Sequence, residues 1–266
     1  MVVKDLIFDV GMHHGEDSDF YLRKGFRVVG VEANPSLCEE VAVRYADAIS
    51  SGRLIVVNKA IGRSDGRAVF YLNKKSIWGT LEPKWAERNN RLGSPSNQIE
   101  VEAVRPERLF AEFGVPYYLK IDIEGLDVVC LEALKHISER PVYVSLESNK
   151  TSWRELLHEF EVFANLGYKR FKVVNQCDVS KQISPAPALE GNYVAHTFSS
   201  GASGLFGEEA PGSWLSMDQA LAEYRKIFRR YRFFGDEGLL TRHRLGRKLI
   251  KKVGIRNCWF DTHAAQ

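Results

Sequence analysis

The first residues that could do chemistry follow the first apolar run of the chain. Asp9 lies near the end of residues 4–10, and Gly11 and Gly15 come directly after that run. A glycine-containing turn between a strand and a helix lets a ligand approach the backbone closely. The spacing G-x-x-x-G differs from the G-x-G-x-x-G that holds a pyrophosphate, and Asp9 would repel a phosphate. An acidic residue here suits a cationic ligand, such as the ammonium and sulfonium groups of S-adenosylmethionine.

A second candidate is the carboxylate that ends the next apolar run. Glu32 follows residues 26–31. A carboxylate about 20 residues after a glycine-containing turn accepts hydrogen bonds from ribose hydroxyls in nucleotide-binding sheets. The alternative is a solvated carboxylate at a strand end. Together with Asp9 and the two glycines, Glu32 predicts a ribose-containing ligand at the C-terminal edge of a parallel sheet.

A third group of charges interrupts a buried strand pattern at residues 117–123. Lys120, Asp122 and Glu124 alternate with apolar residues, so they share one side of the strand. Ionised groups in such a strand are costly unless they are paired or used. A structural lysine–carboxylate pair is one interpretation. The other places Asp122 and Glu124 toward the ligand cleft.

The elements that must position these residues alternate between strand and helix patterns. The predicted strands are residues 4–10, 26–31, 54–57, 117–123 and 142–147. This alternation predicts a doubly wound α/β domain with a parallel sheet. Residues 168–174 and 193–198 are predicted as the last two strands, and residues 214–231 as a helix. The polar residues 73–98 predict either a mobile loop over the site or a plain surface insertion.

Four short motifs occur in a fixed order along the chain. They are Asp9-Val10-Gly11-x-x-x-Gly15, Val31-Glu32-Ala33-Asn34-Pro35, Asn58-Lys59-Ala60-Ile61-Gly62 and Lys120-Ile121-Asp122-Ile123-Glu124-Gly125. Over residues 5–175 the chain thereby resembles the FkbM family of S-adenosylmethionine-dependent methyltransferases. The resemblance implies a Rossmann-like class I methyltransferase sheet of seven strands with the last one antiparallel. It also implies methyl transfer to a hydroxyl of a sugar, glycan or secondary metabolite.

The resemblance implies roles for residues of the first two motifs. Asp9, Gly11 and Gly15 would line the methionine end of S-adenosylmethionine. Glu32 would bind the ribose, with Ala33 beside it.

The later motifs, on the same resemblance, would complete the cofactor site. Asn58 and Ala60 would lie along the adenine, and Asp122 near the methyl group. The acceptor proton needs a general base, for which the candidates are His14, His13 and Asp122, because histidines commonly titrate near neutral pH. The alternative is that both histidines only shape the turn.

A metal is not expected to hold the acceptor. Asp122 and Glu147 end adjacent predicted strands and could contribute oxygen ligands. No compact carboxylate cluster accompanies them in the sequence.

The charge of the chain is concentrated near its C-terminus. Residues 225–256 contain twelve basic and two acidic residues, whereas the net charge of the whole chain is +3. Such a stretch can face a membrane surface, a nucleic acid or an anionic substrate, but an amphipathic helix with solvated charges is favoured. We therefore predict a methyltransferase domain at 1–200 and a basic helical extension at 201–266, packed on the same domain. No nucleic-acid partner is expected.

Composition and cysteine spacing place the chain among ordinary folded proteins. Of its 266 residues, 44% are hydrophobic and 27% charged. No run approaches the roughly 20 apolar residues of a membrane span, and no leader pattern is present, so a cytoplasmic location is expected. Four widely spaced cysteines, expected as free thiols, argue against a disulfide framework. They are Cys38, Cys130, Cys177 and Cys258.

Three other functions compete with an O-methyltransferase. A methyltransferase-like module could bind the cofactor without chemistry, and turnover on a hydroxylated acceptor would separate it. An RNA methyltransferase would use the basic segment and bind less tightly as salt rises. A nicotinamide-dependent oxidoreductase is disfavoured by the missing G-x-G-x-x-G.

Overall fold

Strands from the beginning, the middle and the end of the chain form the central sheet of the protein. The computed structural model describes residues 1–199, 201–235, 238–241 and 258–266. The strands are β1 (Val2–Val10), β2 (Arg27–Val31), β3 (Leu54–Val57), β4 (Ala60–Ile61), β5 (Gly66–Asn73), β6 (Ser96–Val104), β7 (Val115–Ile121), β8 (Tyr143–Glu147), β9 (Arg170–Asn175) and β10 (Phe260–Ala265). The helices are α1 (Glu16–Arg23), α2 (Pro35–Arg44), α3 (Ala46–Ser50), α4 (Pro83–Arg91), α5 (Pro106–Phe113), α6 (Asp127–Ala133), α7 (Trp153–Asn165) and α8 (Met217–Phe234).

Seven strands form the main sheet in the order β3-β2-β1-β7-β8-β10-β9. Strand β10 runs antiparallel to both of its neighbours, and the other pairs are parallel. Alternate residues of β1 enter two different cores, with Leu6 and Phe8 on one face and Ile7 on the other. Apolar residues cover both faces because helices pack on both sides. The predicted seven-stranded class I methyltransferase sheet is confirmed.

The last strand is not the one that the sequence indicated. Residues 193–198 form no strand, so that prediction is wrong. Phe198 is buried by packing on Phe20, with ring centroids 4.9 Å apart, and not by pairing in the sheet. Strand β10 fills the antiparallel position instead. The predicted extension at 201–266 therefore supplies a strand of the sheet as well as α8.

A second sheet has three strands, in the order β4-β6-β5. Strands β5 and β6 are antiparallel, and residues 74–95 connect them. We call residues 74–95 the insertion. It contains a 3-10 helix at Ser76–Trp78 and the helix α4, so it is an ordered element and not an irregular loop. Asn73 closes its base through hydrogen bonds with the carbonyl and the hydroxyl of Ser94, each 2.7 Å long.

One pair of cysteines departs from the prediction of free thiols. Cys177 and Cys258 form a disulfide, although they are 81 residues apart in sequence. Pairing between β9 and β10 brings them together, and sequence spacing gives no sign of that pairing. Cys38 and Cys130 are free and buried, as expected. Disulfides are more typical of oxidising compartments than of the cytoplasm. The disulfide therefore does not support the predicted cytoplasmic location, which stays a prediction.

Helix α8 attaches the C-terminal part of the chain to the sheet. Tyr224 is fully buried, and its hydroxyl lies 2.7 Å from the Thr262 hydroxyl of β10. Phe228 packs against Trp153 with ring centroids 5.1 Å apart. Phe228 of the basic stretch thus packs on the domain, whereas Phe233 of the same helix is exposed. Residues 242–257, the rest of the basic stretch, lie outside the described residues. Among the described residues, no helix is long and apolar enough to span a membrane.

Candidate active site

A cavity of ≈ 1180 Å³ opens where β1, β2, β7 and β8 end. The predicted site residues that line it are Gly11, His13, Glu32, Ala33, Ala60 and Asp122. The predicted residues Asp9, His14, Gly15 and Asn58 are not part of its lining. The carboxyl edge of a parallel sheet is the expected place for a ligand in this architecture.

Gly11 sits where three strand ends meet. Its φ is +83°, and a Cβ there would lie 1.8 Å from the carbonyl oxygen of Asp122. Its N–H donates to the Val31 carbonyl at 2.9 Å, and the Asp122 N–H donates to the Val10 carbonyl at 2.9 Å. Only glycine has both the conformation and the space for this approach. The turn therefore brings the ends of β1, β2 and β7 together.

Asp9 lies below the cavity and is paired within the protein. Its carboxylate accepts hydrogen bonds from the Ser18 hydroxyl at 2.7 Å and from the Lys120 ammonium at 2.9 Å. Lys120 also lies 3.4 Å from Asp17. Burial lowers the pKa of Lys120, but these two carboxylates hold that pKa well above its ordinary value. Lys120 therefore forms the structural ion pair that was one interpretation of its position.

Glu32 directly follows β2, with its carboxylate at the cavity wall. One oxygen accepts the Asn34 N–H at 2.7 Å, and the other accepts the His13 N–H at 3.0 Å. Burial raises the pKa of Glu32, while these two donors act in the opposite direction. Each carboxylate oxygen can accept a second hydrogen bond, so Glu32 keeps acceptor sites for a ligand. Asn58 supports this turn from outside by donating to the Glu32 carbonyl at 2.9 Å.

The two neighbouring histidines have different surroundings. His13 lines the cavity, with Nε2 2.8 Å from the Ser76 hydroxyl and Nδ1 3.6 Å from Glu16. His14 lies against Glu40, with Nδ1 2.9 Å from a carboxylate oxygen. Of these two rings, only that of His13 reaches the cavity.

Carboxyl groups that sequence reasoning gave little weight line the floor of the cavity. Glu147 ends β8, and burial together with the charge of Asp122 raises its pKa to about 8. Burial and the charge of Glu147 also raise the pKa of Glu124 well above the ordinary value. Glu124 has a φ of 51°, uncommon for a residue with a side chain. The alternation with Lys120 and Asp122 already indicated that Glu124 faces the cleft, whereas the only signal for Glu147 was its place at a strand end.

Metal coordination is not supported in the described part of the chain. No group of three or more His, Cys, Asp or Glu side chains there could hold a metal ion. Asp127 shows how one of these carboxylates is used instead. It accepts the N–H groups of Ile123 and Gly125, each at 3.1 Å, and closes the turn after β7.

The insertion forms a wall of the cavity, and sequence reasoning, which placed residues 73–98 over the site in one of its two interpretations, did not single out the residues of this wall. Trp78, Trp85 and Arg88 all line it. The Thr80 hydroxyl donates to the Glu124 carbonyl at 2.7 Å and ties the insertion to the turn after β7. The polar composition of residues 73–98 concealed these aromatics.

A match to a known domain decides the family. The profile of the methyltransferase FkbM domain matches residues 9–170, more than half of the chain. The chain belongs to the FkbM methyltransferase family. It is therefore an S-adenosylmethionine-dependent methyltransferase, and the predicted family and cofactor are confirmed.

Solved structures similar to this methyltransferase are distant from it in sequence. A precorrin-6y C5,15-methyltransferase from Geobacter metallireducens is 13% identical, with a TM-score of 0.38, over 66% of this chain and 68% of that one. StiE O-MT is 8% identical, with a TM-score of 0.41, over 98% and 68%. A Haemonchus contortus phosphoethanolamine N-methyltransferase 2 in complex with S-adenosyl-L-methionine is 10% identical, with a TM-score of 0.37, over 100% and 49%. No curated protein matches the sequence.

Proposed function

We propose that this enzyme methylates a hydroxyl group of a sugar, a glycan or a secondary metabolite. The observation that carries the proposal is one continuous cavity with two different ends. One end contains Glu32 and Ala33 beside the first turn. The other contains Asp122, Glu124 and Glu147, beside the wall formed by the insertion. A cofactor and a polar acceptor could lie end to end in this arrangement.

The residues at the first end fit S-adenosylmethionine. Glu32 retains acceptor sites for the ribose hydroxyls, as described above. Ala60 and Ile61 offer apolar surface for the adenine, and Glu16 offers a carboxylate for the cationic groups. Asp9 and Gly15 would contribute indirectly, by shaping the turn and holding Lys120.

Catalysis requires alignment of the acceptor and removal of its proton. S-adenosylmethionine, when bound, supplies an electrophilic methyl group. Alignment of the acceptor oxygen in the cavity lowers the entropic part of the barrier. His13 is the proposed base, with Asp122 as the second candidate. The Glu16 carboxylate beside Nδ1 would stabilise the His13 ring once it has taken the proton.

Turnover of labelled cofactor tests this function. We expect transfer of a tritiated methyl group to a member of a panel of hydroxylated sugars and metabolites. His13→Gln should lower the rate by ~10²–10⁴, the usual contribution of a general base, while S-adenosylhomocysteine still binds. His14→Gln is the matched control, since its ring lies against Glu40 and away from the cavity. Cofactor binding without transfer to any hydroxyl would favour the binding module instead.

A further inference from the structure

The insertion holds an arginine, Arg88, that lines the cavity. The Arg88 guanidinium lies 4.3 Å from the Trp85 ring centroid and 5.6 Å from that of Trp78. Its Nε is buried and has no hydrogen-bond partner among the described residues. The other nitrogens of its guanidinium make no hydrogen bond within the described residues, so their N–H groups are available to a ligand in the cavity.

The wall around Arg88 is built in advance of any ligand. A Cβ at Gly125 would lie 2.5 Å from the indole nitrogen of Trp85, so glycine makes room for this ring. The Asn89 side chain donates to the Trp78 carbonyl at 3.1 Å and fixes the 3-10 turn. Stacking between these fixed rings limits the conformations of Arg88, which reduces the entropy lost on binding.

The insertion carries an excess of positive charge. Its five basic residues outnumber its two acidic residues. In the described parts of the chain, none of the five side chains has a carboxylate oxygen within 4.0 Å of its nitrogen atoms. The basic residues are Lys74, Lys75, Lys84, Arg88 and Arg91. Lys84, Arg88 and Arg91 line the cavity, as does Arg63 of the neighbouring loop. Cations along one side of a cleft raise the local concentration of anions.

Burial weakens the negative charge that Glu124 and Glu147, on the floor, set against the basic insertion. Burial raises the pKa of Glu147 to about 8, and the pKa of Glu124 also lies well above its ordinary value. Both groups therefore hold their protons to higher pH than an exposed carboxyl does, and the negative charge of Asp122 adds to this effect. A neutral carboxyl both donates and accepts, so it suits a hydroxyl, whereas Arg88 only donates and suits an anion.

We propose that Trp78, Trp85 and Arg88 form an acceptor subsite for an anionic, hydroxyl-bearing ring. Its apolar face would lie against the indoles, its carboxylate or phosphate would accept hydrogen bonds from Arg88, and its hydroxyls would face Glu124 and Glu147. The inference rests on the proposed function, because the proposed function assigns this end of the cavity to the acceptor.

Three matched probes test the subsite in protein saturated with S-adenosylhomocysteine. Methyl glucuronoside carries a carboxylate at C6 where methyl glucoside carries a hydroxymethyl group, and glucose 6-phosphate carries a phosphate ester on that hydroxymethyl oxygen. Calorimetric titration is expected to give at least about tenfold tighter binding for one anionic probe than for the neutral one, the ratio that corresponds to about 1.4 kcal/mol. The better anion distinguishes a carboxylate site from a phosphate site.

Variants assign the preference to the wall. Arg88→Gln should abolish the anion preference and leave binding of S-adenosylhomocysteine unchanged. Arg108→Gln is the control, because Arg108 lies 3.5 Å from Asp65 and does not line the cavity. If Arg88→Gln does not fold, Lys84→Gln is the variant to test. Because the Lys84 side chain is exposed, its removal should reduce the anion preference by less, and the reduction should become smaller as the salt concentration rises.

Three results would overturn the subsite. They are equal binding of charged and neutral probes, binding of none of the three, and an anion preference that survives both cavity variants. Failure of the proposed function is separate, because it would appear as absent methyl transfer or as absent S-adenosylhomocysteine binding. If methyl transfer or S-adenosylhomocysteine binding is absent, the three probes can still be titrated into the protein alone. The anion preference is therefore tested separately from the proposed function.

Discussion

At the scale of single residues, the close contacts of Gly11 determine whether the site can form. Two penalties apply to Gly11→Ala: the left-handed φ and the 1.8 Å approach to the Asp122 carbonyl. We expect a loss of unfolding free energy well above the roughly 1–2 kcal/mol of the φ penalty alone. Urea unfolding measures it. Gly52→Ala is the control, with a φ of +69° and no atom within 4 Å of the added Cβ. Equal losses in the two variants would contradict the close approach.

Glu159 is a second residue with a distinct, pH-dependent effect. Its Oε1 accepts the Asn149 N–H at 3.1 Å, its Oε2 is buried without a partner, and burial raises its pKa to about 8. The folded protein therefore holds this proton more tightly than the unfolded chain, where the pKa is near 4.5. The stability that this provides is complete below about pH 4.5 and is lost as the pH rises through about 8.

Glu159→Gln keeps an oxygen for the Asn149 N–H and removes the titration. We expect the variant to gain stability relative to the parent between pH 5 and pH 9, by about 1.4 kcal/mol for each pH unit over which the folded group stays protonated, as an upper limit. Thermal unfolding across this range measures the gain. Glu161→Gln, an exposed position on the same helix, gives the baseline. A difference that is constant with pH would show that Glu159 does not hold its proton.

At the scale of elements, β10 joins two parts of the sheet that are distant in sequence. It lies between β8 and β9, and the disulfide from Cys177 to Cys258 attaches its beginning to the end of β9. We expect the double variant C177S/C258S to lose about 2–5 kcal/mol of unfolding free energy, because a long loop is no longer closed in the unfolded chain. Reductant should have the same effect on the parent and none on the variant. Equal stability of the oxidised and reduced parent would contradict the bond.

The insertion is the element that sequence reasoning described least well. Its helix α4 places Trp85 and Arg88 in the wall of the cavity, yet residues 73–98 have too few apolar residues to show a buried face. Half-buried aromatics over a ligand cavity do not follow the periodicity of a core helix. Their role depends on Gly125 and Thr80, contacts that only the folded chain brings together.

At the scale of the whole molecule, local motifs were predictable and distant pairings were not. Asp9, Gly11 and Glu32 lie next to the strands that position them, so sequence order was enough to locate this edge of the sheet. Strand β10 reads Phe-Asp-Thr-His-Ala-Ala and has weak strand propensity. Its place is set by pairing on both sides with β8 and β9. For this reason residues 193–198, which are more apolar, were predicted in its stead.

We propose that the Glu32 end of the cavity binds S-adenosylmethionine through its ribose. Calorimetric titration with S-adenosylhomocysteine, on the parent protein and on Glu32→Ala, tests it most directly. We expect measurable binding that Glu32→Ala weakens by ~1–3 kcal/mol, the cost of hydrogen bonds left unmade. Glu39→Ala, an exposed position on α2, should bind like the parent. No binding to the parent, or equal binding to the parent and Glu32→Ala, would contradict the account.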